Sequence, residues 1–159
     1  MRGRIRARVL AEQRATGGSG TWDQDASLFV HLLLQRSIEK YAMARRSGET
    51  IIFDRGIPDC FVYAVRAGAD PPPCLEAVDA YRYQPHVLFL EPWSDIYETD
   101  EEWIMSFDDT VSCSKSLKDV YERSGYMLVD VSRDSIADRA TFVRMSIARF
   151  GAIGTKGGV

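Results

Sequence analysis

Three consecutive residues that follow an apolar run carry groups suited to binding a phosphorylated ligand. Asp54, Arg55 and Gly56 come directly after Thr50-Ile51-Ile52-Phe53, whose β-branched, apolar composition predicts a strand covered on both faces. In nucleotide-binding enzymes a carboxylate at the position of Asp54 holds Mg²⁺ or a substrate hydroxyl, and a guanidinium such as that of Arg55 forms a planar fork for phosphate. Asp59 lies one turn into the next predicted helix. The alternative that Asp54 only caps that helix stays open.

Two later apolar runs also end in polar residues. Glu91 follows the run 86–90, and Ser132 and Arg133 follow the run 126–131. Ligands gather beyond the carboxyl ends of parallel strands, so these residues are candidates for a nucleotide or substrate site. For Glu91, a second acid in the chemistry and a solvated acid without a role both remain possible.

Several familiar sites are excluded. The glycine-rich stretch Gly17–Thr21 resembles a phosphate loop only in composition, because a Walker A loop needs G-x-x-x-x-G-K-[ST] after a strand. Here an apparent helix precedes the glycines, Trp22 follows them and no Lys is present, which predicts a flexible turn. His31 and His86 accompany no G-x-S-x-G elbow, so a hydrolase site of that kind is not supported.

The composition is that of an ordinary folded domain. The chain has 159 residues, is 45% hydrophobic and carries a net charge of −3, which argues against disorder. Its apolar runs are far shorter than the roughly 20 residues of a membrane helix, and no secretory signal is visible. Three cysteines without metal-ligand spacing favour free thiols in a reducing compartment, so we expect a cytoplasmic protein; they are Cys60, Cys74 and Cys113.

Charge is unevenly distributed along the chain. Arginines at positions 2, 4, 6 and 8 open it, and the stretch 91–109 has eight acids and no Lys or Arg. The first segment is a nucleic-acid arm, a transit peptide or a solvated helix start. The second is a site for cations or a basic partner, or a solvated helix and loop. An acidic overall balance makes nucleic acid the weakest of these alternatives.

The elements that must position these residues follow a βαβ rhythm. Strands are predicted near 50–54, 86–90 and 126–131, with helices between them, as in a parallel sheet. Helices are predicted from a cap at Asp23 or Asp25 to Ser47-Gly48, from Pro58 to Gly68, over 76–83, and from a cap at Asp100 to Arg123. The last helix is predicted over 136–149 behind a Ser135/Asp138 capping box, with Phe142, Val143 and Ile147 facing inward. The prolines at 71–73 predict a bend over 69–73.

Taken in order, these segments resemble the NadR-like AAA domain family of predicted ATPases, which are P-loop proteins related to small-molecule kinases. The resemblance covers roughly residues 6–147, and the D-R-G-x-P-D and G-Y-x-L-V blocks make it fairly specific. The matching segments are 8–13 with Gly17-Gly18, 53–59 with Tyr63-Ala64, 87–93, 97–100, Tyr121 with 125–129, and 135–139 with Phe142-Val143.

The resemblance implies ATP or GTP bound with Mg²⁺, and phosphoryl transfer to a small molecule. Asp54 matches the carboxylate after the Walker B-like strand, as catalytic group and indirect Mg²⁺ ligand. Arg55 and Asp59 lie in the acceptor or phosphate region, and Ser132 and Arg133 near the nucleotide base.

This sequence departs from the family pattern in two places. Relatives carry a strand, a G-x-x-G-x-G-K-[ST] loop, a helix and a second strand before the segment that matches Arg8, whereas nothing precedes Met1 here. We therefore expect the phosphate-binding loop to be missing, through truncation or a misplaced start codon. In the lid, where relatives continue T-D-x-x-R, this chain reads Thr99-Asp100-Glu101-Glu102-Trp103 without a cation.

We expect a three-layer P-loop NTPase-like parallel sheet with flanking helices, incomplete at its N-terminus. It would form one domain over residues 1–150, followed by a flexible glycine-rich tail over 151–159. The expected function is that of an ATPase or small-molecule kinase-like domain that binds no nucleotide tightly as given. The alternative is a non-catalytic remnant that binds a protein partner, or itself, through an exposed sheet edge or the acidic lid.

Overall fold

The computed structural model describes residues 5–98 and 105–154 of the chain. Two compact units divide the chain, Met1–Tyr83 and Gln84–Val159. The described part of the first unit contains four α-helices: α1 (Ile5–Thr16), α2 (Ala26–Ser47), α3 (Ile57–Ala67) and α4 (Pro72–Ala80). The described part of the second unit contains β1 (His86–Phe89), a 3₁₀ turn (Ser94–Ile96), α5 (Phe107–Arg123), β2 (Met127–Asp130) and α6 (Ile136–Gly154). In these described ranges no helix is long and apolar enough to cross a membrane.

The long helix α2 begins and ends where the sequence predicts. The carboxylate of Asp25 accepts a hydrogen bond from the Leu28 N–H at 2.9 Å, which satisfies one of the free donors of the first turn. Gly48 ends the helix in the left-handed conformation at φ 67°, where a side chain would be strained. Helix α3 likewise carries Pro58 in its first turn and ends at Gly68, as predicted.

The core of the first unit is formed by apolar side chains from all four helices. Phe29 and Leu33 of α2 are buried as predicted, and Leu32 and Tyr41 pack against the core while partly exposed. The buried cluster consists of Val9, Leu10, Phe29, Val30, Leu33, Leu34, Ile57, Cys60, Ala64, Cys74, Ala77 and Val78.

The glycine-rich stretch between α1 and α2 is a turn, as predicted. Gly17 has φ 67°, and the Gly20 N–H donates to the Gln13 side-chain oxygen at 3.0 Å. A Cβ on Gly20 would lie 2.7 Å from a methyl group of Leu32, so close packing rather than phosphate binding accounts for this glycine.

The predicted strand at 50–54 is wrong. Residues 50–53 form no strand, and the side chains of Ile51 and Ile52 are 40% and 65% exposed. A strand exists only when neighbouring backbone groups complete its hydrogen bonds, and among the described residues no segment pairs with this one. The apolar composition alone does not supply that neighbour.

Two further boundaries in the first unit differ from the prediction. The proline run 71–73 was expected to be a bend and the next helix to span 76–83, but α4 begins at Pro72 and ends at Ala80. Proline is excluded from the interior of a helix, but the first turn has no intrahelical acceptor for its missing N–H, so prolines fit there.

The second unit is built on a parallel pair of strands, as the sequence predicts. Strands β1 and β2 pair in register His86↔Met127 through Phe89↔Asp130, with α5 as the crossover between them. Ser106 caps α5 by accepting from the Asp109 N–H at 3.1 Å, and the helix runs on to Arg123 without interruption. The predicted cap at Asp100 lies outside the described residues.

Helix α6 extends beyond its predicted end. The helix was predicted over 136–149, ahead of a flexible tail over 151–159, and it continues to Gly154. Residues 155–159 lie outside the described part. Ser135 accepts from the Asp138 N–H at 3.2 Å, as the capping box predicts. Phe142 is 38% exposed rather than inward, because it lies at the edge of the less exposed face of α6, which passes through Val143 and Ser146.

Candidate functional site

The first candidate cluster lies in the turn that leads into α3. Arg55 adopts a left-handed conformation with φ 69°, which is the only positive φ of a non-glycine residue among the described residues. Asp59 is 3% exposed and accepts from the Gly56 N–H at 2.9 Å. Its other oxygen accepts from the Arg55 guanidinium at 3.3 Å. Asp59, at the third position of α3, therefore caps the start of the helix through the Gly56 N–H.

An aromatic side chain supports the same turn. The hydroxyl of Tyr83 accepts from the Ile57 N–H at 3.3 Å, and the rings of Phe53 and Tyr83 meet edge to face with centroids 5.0 Å apart. Phe53 directly precedes Asp54 in the chain. The segment that failed to form a strand is therefore anchored at its end by a ring contact.

The charge of Arg55 is maintained by its surroundings. Desolvation opposes the charged form, but nearby Tyr63, Asp59 and Asp54 outweigh it and raise the pKa of the guanidinium above its ordinary value. The Arg55 side chain is still 52% exposed, so a cation remains accessible beside the exposed Asp54. This pairing of an exposed carboxylate and an exposed guanidinium suits contact with a phosphorylated or hydroxylated ligand.

The second candidate cluster is a pocket beyond the carboxyl ends of β1 and β2. It brings together Glu91, Ser132 and Arg133, as expected from the ends of parallel strands. The cavity has a volume of about 150 Å³. Its lining is Leu90, Glu91, Trp93, Ile96, Val131, Ser132, Arg133 and Arg139.

The acid of this pocket is shared between two cations. Glu91 accepts from the Lys118 ammonium at 2.5 Å, and its other oxygen lies 3.6 Å from the Arg133 guanidinium. Arg133 also donates to the carbonyl of Pro92 at 3.0 Å. The hydrogen bond with Glu91, followed by that with Asp130, raises the pKa of Lys118 above its ordinary value. The Glu91 side chain therefore lies between two positively charged groups.

Sequence reasoning missed three residues of the pocket and its surroundings. Lys118 reaches Glu91 from the middle of α5, and Arg139 of α6 lies over the ring of Trp93 at 5.9 Å. The Arg139 Nε is buried and has no acceptor among the residues that the structure describes. Trp93 follows the strand as Glu91 does, so its position was a usable signal, whereas nothing local marked the two cations.

Comparison with known proteins gives one result. A family model described as an AAA domain matches residues 5–139. The chain belongs to the AAA domain family. No curated protein matches it, and no solved structure does. The match spans the candidate residues of both clusters, from Asp54 to Arg139.

Members of the AAA family have a nucleotide-binding P-loop fold and generally use Mg²⁺. The α/β organisation of this chain, with its small parallel sheet, is consistent with such a domain. Within residues 5–98 and 105–154, no group of three His, Cys, Asp or Glu side chains could hold a metal ion by itself. A single carboxylate such as Asp54 fits Mg²⁺ only when ligand oxygens complete the coordination.

Proposed function

We propose that this AAA-family chain contributes the substrate-facing and base-facing loops of a NadR-like P-loop ATPase or small-molecule kinase-like domain. The observation that carries the proposal is the pocket beyond β1 and β2, which contains the residues expected at the ends of these strands. The match with the AAA family supports a nucleotide as the ligand. The loops that follow β1 and β2 lie beyond the carboxyl ends of parallel strands, where ligands bind in such folds. Asp54, Arg55 and Asp59 would serve the acceptor or phosphate, and Glu91, Ser132 and Arg133 the nucleoside.

The chemistry supplied by a bound nucleotide with Mg²⁺ is transfer or hydrolysis of its terminal phosphoryl group. In that setting Asp54 would hold Mg²⁺ through ligand oxygens or orient an acceptor hydroxyl. The exposed part of Arg55 would contact phosphate, while Asp59 fixes the turn that presents both. The lid residues Thr99–Trp103, where cations were expected and none occurs in the sequence, lie outside the described residues.

These 159 residues are expected to bind Mg·ATP or Mg·GTP only weakly, because they contain no G-x-x-x-x-G-K-[ST] loop. Such a loop provides charge-assisted hydrogen bonds of about 1.5–3 kcal/mol each. About four of them amount to roughly 6–12 kcal/mol, whereas micromolar binding corresponds to about 8 kcal/mol in total. The loops present here can therefore recognise parts of a nucleotide without retaining the triphosphate.

The test is a titration of the ¹⁵N-labelled chain with Mg·ATP and Mg·GTP, followed by amide chemical shifts. We expect weak binding, and shifts concentrated in residues 90–96 and 131–139. Calorimetry should detect no micromolar affinity for either nucleotide. The proposal fails if neither nucleotide at about 10 mM moves those amides, and the weak-binding part fails if calorimetry gives a micromolar Kd.

The second candidate function, a protein-interaction module, is favoured by the exposed apolar segment at 50–53. Ile52 is 65% exposed and Ile51 is 40% exposed beside backbone groups that join no sheet. A second copy of the chain could pair there and cover them. Sedimentation equilibrium tests this: self-association that Ile52→Lys abolishes and the control Val65→Lys retains supports it, and a strictly monomeric chain contradicts it. Val65, on α3, is 55% exposed.

A further inference from the structure

The pocket beyond β1 and β2 is lined by two guanidinium groups whose surroundings differ. Arg133 donates to the Pro92 carbonyl at 3.0 Å and lies 3.6 Å from Glu91, so it already has protein partners. Arg139 makes no ion pair with any residue that the structure describes, and its Nε is buried without an acceptor there. A buried donor without a partner costs free energy, so Arg139 gains more than Arg133 from a ligand that brings an acceptor.

Arg139 is held at the pocket by a ring contact. Its guanidinium carbon lies 5.9 Å from the centre of the Trp93 ring, a distance at which a cation is attracted to an aromatic face. Two acids lie close to Arg139 in the chain, Asp134 and Asp138, and each accepts from a nearby serine hydroxyl at 2.5 Å. Because neither pairs with Arg139, its guanidinium stays available to a ligand in the cavity.

The remaining lining suits an apolar ring with an uncharged acceptor. The Glu91 carboxylate lines the same cavity, so a phosphate placed there would meet a like charge. The cavity has a volume of about 150 Å³, enough for a six-membered ring. Its apolar walls are formed by Leu90, Ile96 and Val131. A nucleobase combines an apolar ring with ring nitrogens that accept hydrogen bonds without carrying a full charge.

We propose that Arg139 binds the base of the nucleotide, with its Nε–H donating to a ring nitrogen of adenine when ATP is bound. The inference rests on the proposed function, since it assigns a contact to the nucleotide bound there. Adenine has acceptors at N1, N3 and N7, and a rotation of the Arg139 side chain aims the N–H at one of them. The free Glu91 oxygen and the Ser132 hydroxyl oxygen can accept from the adenine amino group.

The experiment removes the acceptors of the base one at a time. AMP and its 1-deaza, 3-deaza and 7-deaza analogues share the ribose, the phosphate and the amino group, and each analogue replaces one ring nitrogen with C–H. Amide shifts of the full ¹⁵N-labelled chain measure the four affinities. We expect AMP to bind with a Kd on the order of 1 mM. One analogue should bind about tenfold more weakly, the lower end for a hydrogen bond from a charged group, and the other two should bind as AMP does.

A pair of variants assigns the donor. Arg139→Met keeps an unbranched apolar side chain without donors, so AMP and the sensitive analogue should bind it with nearly equal affinity. The control Arg149→Met, which lies exposed on the same helix, should retain the tenfold difference. Each ratio compares ligands of equal charge on one protein, so neither a loss of stability nor a weaker attraction of the phosphate imitates the result.

Ribose 5-phosphate tests whether the pocket binds the base and not the phosphate. At about 10 mM it should leave the amides of residues 90–96 and 131–139 in place, whereas AMP should shift them. If ribose 5-phosphate shifts these amides as AMP does, the pocket binds the sugar phosphate and the inference is wrong.

The other outcomes separate the inference from the function on which it rests. If all three analogues bind as tightly as AMP, no ring nitrogen is recognised, so the inference is overturned while nucleotide binding stands. If one analogue is weaker but the difference persists in Arg139→Met, the donor is another residue and the inference is again overturned. If AMP shifts none of the pocket amides at about 10 mM, both the inference and the proposed function fail.

Discussion

Replacing Asp59 with alanine should destabilise the protein far more than removing a comparable surface acid. Asp59 is 3% exposed and accepts from the Gly56 N–H at 2.9 Å and from Arg55 at 3.3 Å. Leaving the Gly56 N–H without its partner costs about 1–3 kcal/mol. The ion pair adds only about 0–1 kcal/mol, because the Arg55 side chain is 52% exposed. Asp59→Ala should therefore lower the free energy of unfolding by about 1–4 kcal/mol.

The matched control is Asp119→Ala. Asp119 also pairs with an arginine one turn away, Arg123 at 2.8 Å, but the two side chains are 52% and 79% exposed, and the expected loss is only about 0.3–0.5 kcal/mol. Asp59→Asn, which keeps one acceptor oxygen, should fall between the two. Urea unfolding followed by circular dichroism at constant m-value measures all three. Equal losses for Asp59→Ala and Asp119→Ala would refute the capping role assigned to Asp59.

Three further outcomes can be measured. Arg55→Gly should be more stable than Arg55→Ala by about 1 kcal/mol in urea unfolding, because both lose the ion pair but only glycine relieves the left-handed backbone at φ 69°; equal stability would contradict this. Hydrogen bonds from Arg8 and Arg36 hold the pKa of Glu12 below its ordinary value, so Arg8→Met should raise the pH midpoint of the Glu12 titration measured by NMR. The stabilisation that the Glu12 carboxylate contributes is present at neutral pH and is lost as the pH falls below the usual glutamate range. Burial raises the pKa of Cys74 to about 11 and that of Cys60 further, so iodoacetamide at pH 8 should label neither in the native protein and both in urea; rapid native labelling would show that these thiols are accessible.

Elements whose signals are local could be predicted from the sequence. The cap at Asp25, the stop at Gly48 and the Ser135 box depend on side chains within one helical turn of the backbone they satisfy, so spacing alone identifies them. The strand at 50–54 could not be predicted correctly, because an apolar run states only a preference for burial. Whether it becomes a strand depends on a neighbouring backbone elsewhere in the chain, which no local pattern reports.

The candidate site likewise contains residues that the sequence predicts and residues that it does not. The edge where Glu91, Ser132 and Arg133 meet follows from a rule about parallel strands, and the structure brings these residues together. Lys118 and Arg139 reach the same edge from the helices α5 and α6, with 27 residues separating Lys118 from Glu91. Such contacts depend on how each helix packs and rotates on the sheet, and single-sequence periodicity does not fix that rotation with the accuracy of one side chain.

The partners of Glu91 argue against coordination of Mg²⁺ by its carboxylate. A carboxylate that coordinates Mg²⁺ must give its oxygens to the ion, and the ion is repelled by cations close to it. Glu91 has an ammonium group at 2.5 Å and a guanidinium at 3.6 Å, so both oxygens already face positive charge. An N–H donor of a base, which carries only a partial charge, can share that carboxylate at much lower cost. Under the proposed function, Glu91 is therefore better suited to accept from a bound base than to bind a metal ion.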